Sequence, residues 1–150
     1  MLSEFDKRLL NTVQGDIPLV PQPFAAVAER LGADEATVIE RLRYLRANGL
    51  IRRIGPFFDS VRLGYVGTLV ALAVEPDRLP AVAEAVNAFP GVTHNYEREG
   101  AYNLWFALLT PDIASQEKVL ATVAALPGVG GVLNLPATRK YKVNVRFTLE

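Results

Sequence analysis

One stretch of the chain, GVTHNYEREGAYNLWF from Gly91 to Phe106, gathers side chains that can do chemistry. It holds the sole histidine, His94, the sole tryptophan, Trp105, and the tyrosines Tyr96 and Tyr102, with Glu97, Arg98 and Glu99 between them. Histidine ordinarily titrates near neutrality, so His94 suits proton transfer. In a strand, a side-chain period of two puts Tyr96 and Arg98 on the face of His94. There Tyr96 can orient the imidazole or relay a proton, and Arg98 can hold a carboxylate. The same alternation sets Tyr102 and Phe106 on one face of the next strand and Trp105 on the other, so one set at most lines a pocket. The plainer alternative is a structural histidine with core aromatics. Basic residues stand at two further places, Arg52 and Arg53 after the helical region and Arg139, Lys140, Lys142 and Arg146 near the end. An arginine fork can take a carboxylate bidentately. Lys140, Lys142 and Arg146 read equally as positive charge guarding an exposed sheet edge.

Composition limits what these residues can serve. The chain has 150 residues, half of them hydrophobic and 21% charged, with 16 basic residues against 16 acidic. That is an ordinary globular composition, sufficient for a core in one domain or two small lobes. With no cysteine, disulfides, thiolate metal sites and cysteine nucleophiles are excluded. The start, MLSEFDKRLLN, lacks the apolar run of a secretory signal, and the longest apolar run, YVGTLVALAV, is too short to span a membrane. A cytoplasmic location is the expectation.

The elements that must position the cluster follow from periodicity. Ser3 caps a helix bearing Phe5, Leu9, Leu10 and Val13, ended by Gly15 and Pro18 and followed by the Pro-rich DIPLVPQP. Phe24, Val27, Ala28 and Leu31 form the stripe of a second helix closed by Gly32. Asp34 caps a third with Val38, Leu42 and Leu45, stopped at Asn48-Gly49. This is a helix-turn-helix, and LIRRIGPFFDSVRLGY after it reads as a hairpin wing. From there the period changes. VGTLVALAV is a strand, Leu79 to Phe89 a helix, Val92 to Arg98 and Tyr102 to Leu109 two strands, Ile113 to Leu126 a helix and Val129 to Leu135 a strand. An internal echo, AVAEAVNAFPGV and KVLATVAALPGV, marks two halves of a ferredoxin-like βαββαβ sandwich. The tail TRKYKVNVRF alternates strictly, with Tyr141, Val143, Val145 and Phe147 on one face, and is expected to be an added C-terminal strand. The fold class is thus α+β, with a winged helix-turn-helix over 1–62 and a ferredoxin-like domain over 63–150. The apolar strand face, and a sheet that its own helices cover on one side, imply a dimer.

Charge argues against DNA as the partner of the helical domain. Residues 1–62 hold nine Lys or Arg and eight Asp or Glu, a net of +1, where phosphate binding asks for a marked positive excess. In the third helix Arg41, Arg43 and Arg46 are offset by Asp34, Glu35 and Glu40.

The order of elements and the string ATVIERLRYLRANGLIRR resemble the Lrp/AsnC family of transcription regulators, which join a winged helix-turn-helix to a ferredoxin-like ligand and dimerisation lobe. RRIGPFFDSVRLGY followed by THNYERE and YNLWF is similar to the siroheme decarboxylases, the enzyme branch of that fold in alternative haem and haem d1 biosynthesis. The resemblance implies a carboxy-lyase that takes carbon dioxide from the C12 and C18 acetates of siroheme to give 12,18-didecarboxysiroheme. It implies no added cofactor, a homologous second subunit forming a heterodimer or homodimer, and an essential histidine at the position of His94. Under it Arg52, Arg53, Arg139, Lys140 and Lys142 serve the substrate's carboxylates, Tyr102 and Trp105 its ring, and Tyr96 and Arg98 assist His94. The protein needs no metal of its own, though His94 can instead be an axial ligand to the substrate's iron. The competing expectation is an Lrp/AsnC-type regulator binding DNA and an amino acid or haem-like effector.

Overall fold

The computed structural model describes residues 2–55, 58–143, 146 and 148–150. The chain forms two compact units, residues 1–56 with 142–150, and residues 57–141.

The first unit is a three-helix cluster: α1 (Glu4–Val13), α2 (Pro23–Leu31) and α3 (Glu35–Ala47). Leu9, Val27, Ala28, Leu31, Val38, Leu42 and Leu45 close its core, the apolar stripes that the helical period marks out. The start of α1 is a capping box. Ser3 Oγ accepts from the Asp6 amide at 3.1 Å while Asp6 Oδ2 accepts from the Ser3 amide at 2.9 Å. Asp6, only 1% exposed, also receives both arms of Arg41 from α3, Nε at 2.9 Å and Nη2 at 2.8 Å. That guanidinium holds the Asp6 carboxyl far below the usual carboxylate range.

The hairpin wing expected over 50–65 is absent among the described residues, which carry no strand there. Asp59 Oδ1 instead accepts from the amides of Val61 and Arg62, and the Tyr65 amide donates to Ser60 O at 2.9 Å. These local bonds make a helical-type turn of a segment whose apolar alternation had suggested a strand.

The second unit has β1 (Val66–Val74), a 3-10 turn at Pro76–Arg78, α4 (Leu79–Asn87), β2 (Val92–Glu97), β3 (Leu104–Thr110), α5 (Ile113–Ala124) and β4 (Val129–Leu135). The four strands lie in the order β2-β3-β1-β4, every neighbouring pair antiparallel, as a ferredoxin-like βαββαβ chain requires. Both helices pack on one face, over Val70, Leu72 and Val74 of β1 and Leu104, Phe106 and Leu108 of β3. Phe106 is completely buried, worth about 2 to 3 kcal/mol of transfer free energy. The two Pro-Gly breaks of the internal echo serve different needs. A Cβ on Gly91 would run into the carbonyl of Leu109, whereas Gly128 holds φ +89.

The added C-terminal strand is likewise not formed among the described residues. The tail from Lys142 onward belongs to the first unit, where Asn11 Nδ2 donates to Leu149 O at 2.9 Å and Asn11 Oδ1 accepts from the Leu149 amide at 3.1 Å. An asparagine amide offers one donor and one acceptor side by side, and here it satisfies both backbone groups of Leu149, a residue beyond the expected strand. Tyr141 and Val143 of the expected apolar face are exposed; Val145 and Phe147 lie outside the described residues.

Candidate active site

The helix-free face of the second unit's sheet carries the cluster around His94. Its composition is set by an irregularity in β2. Val92 pairs with Leu108 and packs in the core, yet His94 pairs with the next residue of β3, Ala107. Thr93 is therefore an extra residue, a β-bulge, and beyond it the alternation resumes in reversed phase. Asn95 faces the helices, donating from Nδ2 to Ala83 O at 3.2 Å and to Asn87 Oδ1 at 3.0 Å. His94 and Tyr96 face the other way, exposed, with ring centroids 6.2 Å apart and planes inclined by 26°.

Opposite them on β3, Trp105 pairs with Tyr96 and Ala107 with His94; one strand further, Ala71 and Leu69 of β1 continue the two rows. The result is a shelf with His94 and Tyr96 on the edge strand, Trp105 beside them and the small, half-buried Ala107 as floor, Ala71 in the next row being fully buried. Leu69 and Leu135, 43% and 42% exposed, extend it as an apolar surface. Trp105 is fixed by its indole N–H, which donates to Tyr102 O at 2.7 Å.

Tyr102 departs from the expected alternation. It precedes β3, which starts at Leu104, so strand periodicity does not govern it. Its hydroxyl comes close to Gly131, which pairs with Ala73 on the helix-free face, so Tyr102 and Trp105 share a side while Phe106 alone goes into the core. Asn103 secures the turn. Its side chain accepts from the Val74 amide at 2.9 Å and donates to Val74 O at 2.8 Å.

The remaining candidates are more scattered. Arg98 lies one residue past β2, exposed, its amide donating to Asn103 O at 2.8 Å. Arg139 and Lys140 follow β4, exposed, with the Arg139 guanidinium 5.0 Å from the Tyr141 ring centre. Arg52, Arg53 and Lys142 are exposed residues of the first unit. The fold thus brings His94, Tyr96, Tyr102 and Trp105 together on one sheet face, and assigns the basic candidates to both units. Thr93 and Asn95 carry much of the local geometry, and of these the asparagine alone had a legible signal, a polar residue between two strand positions. Among the described residues no three His, Asp or Glu side chains are grouped to hold a metal ion, and no helix is long and apolar enough to cross a membrane.

The two units match two family models. Residues 6–52 match a siroheme decarboxylase NirDL-like helix-turn-helix domain, and residues 62–142 an AsnC-like ligand-binding domain. Fold and matches define an Lrp/AsnC-like two-domain protein. Within that class the chain is 43% identical over 149 residues to the siroheme decarboxylase alpha subunit of Desulfovibrio desulfuricans, covering 99% of this chain and 86% of that protein. It is 42% identical over 149 residues to the siroheme decarboxylase NirD subunit of Pseudomonas aeruginosa, covering 99% and 98%. A crystal structure of the siroheme decarboxylase NirDL in co-complex with an iron-uroporphyrin III analogue superposes with a TM-score of 0.73 at 39% identity, over 95% of this chain and 48% of that one. The chain belongs to the siroheme decarboxylase family.

Proposed function

We propose that this protein is a siroheme decarboxylase subunit, a carboxy-lyase that removes carbon dioxide from the C12 and C18 acetates of siroheme to give 12,18-didecarboxysiroheme. The observation that carries the reading is the helix-free shelf, where the single histidine stacks on a tyrosine beside a tryptophan and an alanine floor. A flat aromatic macrocycle fits such a surface, and NirDL binds an iron-uroporphyrin analogue.

The chemistry requires a placed proton. An acetate on a pyrrole ring loses carbon dioxide once the ring carbon is protonated, because the resulting cation accepts the electron pair of the breaking C–C bond. Protonation of the methylene left behind and loss of the ring proton give a methyl group, with one proton consumed per carboxylate. His94 supplies that proton, Tyr96 holds its ring, and Arg98, Arg139 and Lys140 of the same unit take the substrate's other carboxylates. The protein needs no cofactor of its own, the iron arriving with the substrate.

A homologous second subunit completes the assembly, as a heterodimer or homodimer. The alpha and NirD designations of its relatives, and the NirDL chain about twice as long as this one, support a paired arrangement. The helical unit, residues 1–56 with 142–150, is then a scaffold and the unit of residues 57–141 carries the catalysis. In α3 the Arg41 guanidinium is bound to Asp6, which further lowers the charge open to a phosphate backbone.

His94→Ala tests the reading in a cytoplasmic-type reducing, anaerobic mixture with siroheme and the partner subunit. The tetrapyrrole band should still shift on mixing while turnover falls about 100-fold or more. Near-wild-type turnover would refute the proton-donor role. A changed visible spectrum with weakened binding would mark His94 as an iron ligand instead.

A further inference from the structure

We infer that Thr93, the bulged residue of β2, is a positioning residue that holds His94 by its Nδ1 edge and leaves Nε2 as the nitrogen presented to substrate. The inference rests on the proton-donor reading of His94 and names how that proton is aimed. Its first support is the register. Because Val92 pairs with Leu108 and His94 with Ala107, Thr93 has no partner residue on β3. A bulge re-aims the side chains beside it. Without it, continuing the alternation from the core-facing Val92 would send His94 toward the helices.

The second support is a direct contact, Thr93 Oγ1 to His94 Nδ1 at 3.1 Å, the ring's only hydrogen bond among the described residues. A hydroxyl both donates and accepts, so it can donate to a bare Nδ1 and, after rotating, accept from a protonated one. Thr93 thus stays bonded to Nδ1 whether the ring is neutral or charged. When the imidazolium gives up its Nε2 proton, the proton that remains sits on Nδ1, against Oγ1. Third, the ring face is buttressed by Tyr96 at 6.2 Å, and the strand beneath is tied to α4 by Asn95. The ring is therefore held on one edge and one face. A β-branched threonine is also a good strand residue, so shape alone can explain its presence. The hydroxyl separates the two accounts.

The experiment compares wild type, Thr93→Val and Thr93→Ser in the full chain. Valine keeps the branched shape and removes the hydroxyl, whereas serine keeps the hydroxyl. The chain has one histidine, so a long-range proton–nitrogen correlation spectrum reports its two ring nitrogens without ambiguity. In Thr93→Val the Nδ1 resonance should move toward that of a solvent-exposed imidazole, and in Thr93→Ser it should return to the wild-type position. Turnover of saturating siroheme in the native assembly should fall about 10-fold in Thr93→Val with KM unchanged, and recover in Thr93→Ser. An Nδ1 resonance identical in wild type and Thr93→Val overturns the inference whatever the activity. A shifted resonance with unchanged turnover overturns the positioning role, provided His94→Gln is inactive in the same assay. If His94→Gln is itself active, the proton-donor reading falls, and the aiming of its proton falls with it.

Discussion

The two units handle their polar residues in opposite ways. In the first, the one buried charge among the described residues, Asp6, is consumed inside the fold, joining the first turn of α1 to α3 through Ser3 and Arg41. In the second, the described core between sheet and helices holds no charged side chain, and His94, Tyr96, Tyr102 and Trp105 stand on the sheet's other face. A three-helix cluster this small has little apolar area to bury, so a bidentate ion pair adds orientation to a short list of Leu and Val contacts. A four-stranded sheet with two helices fills its core by alternation alone, and its second face stays open for another molecule. The comparison teaches that a unit with a small apolar core uses a charge in its own packing, whereas a sheet that fills its core by alternation leaves its ionisable side chains on the surface.

The largest expected effect lies on the open face. His94→Ala should reduce turnover about 100-fold or more while leaving the thermal midpoint within a degree or so of wild type, since exposed positions away from special contacts seldom alter stability. A matching loss of stability, seen by calorimetry, would make His94 a structural member of β2 and erase the contrast between the units.

Gly91→Ala sharpens the same boundary. The new methyl meets the Leu109 carbonyl, whose own residue donates its amide to Gly91 O at 2.8 Å, so backbone must move at the start of β2. A destabilisation of about 1 to 3 kcal/mol in urea unfolding is expected, together with lost activity because the bulge is displaced. Unchanged stability would mean that the strand accommodates the methyl freely.

For the first unit the prediction concerns acid. The folded Asp6 carboxyl titrates below its usual value of 3.8, so its stabilising contribution is complete above that pH and is lost as pH falls toward the folded value. Thermal midpoints measured against pH should therefore drop more steeply below that value in wild type than in Asp6→Asn, which should be less stable at neutral pH. Parallel acid limbs would show that the ion pair is not what joins α1 to α3.

The smallest effect is at Trp105. Trp105→Phe keeps the aromatic surface and removes the 2.7 Å bond to Tyr102 O, costing about 1 kcal/mol by chemical denaturation and more in substrate affinity than in stability. Equal changes in both would place the indole in the frame and not on the binding shelf.

Much of the frame was legible in residues 3, 34, 79 and 129. Ser3 and Asp34 cap their helices through local bonds, and the start of α4 at Leu79 and of β4 at Val129 coincide with breaks in hydrophobic period. Such signals are local, so a linear string carries them. The wing was misread for the opposite reason, and three residues of the expected C-terminal strand lie outside the described residues. Alternation states that a segment can be a strand, but a strand exists only where another backbone pairs with it, and in the wing Asp59 supplied a different partner.

By itself, then, the sequence determined the helical stripes, the βαββαβ order, the rarity of the groups in THNY and YNLW, and the near-neutral helical domain. Only tertiary structure decided which way His94 points. A single unpaired residue, Thr93, reverses the phase of β2, and its position depends on how β3 fits against both β1 and β2 at once. Tertiary structure also bound Arg41 to Asp6 across 35 residues and brought Tyr102 to the side of Trp105. Side-chain period is a property of one strand, whereas register is a property of a pair, and the face on which a catalytic group emerges follows from register.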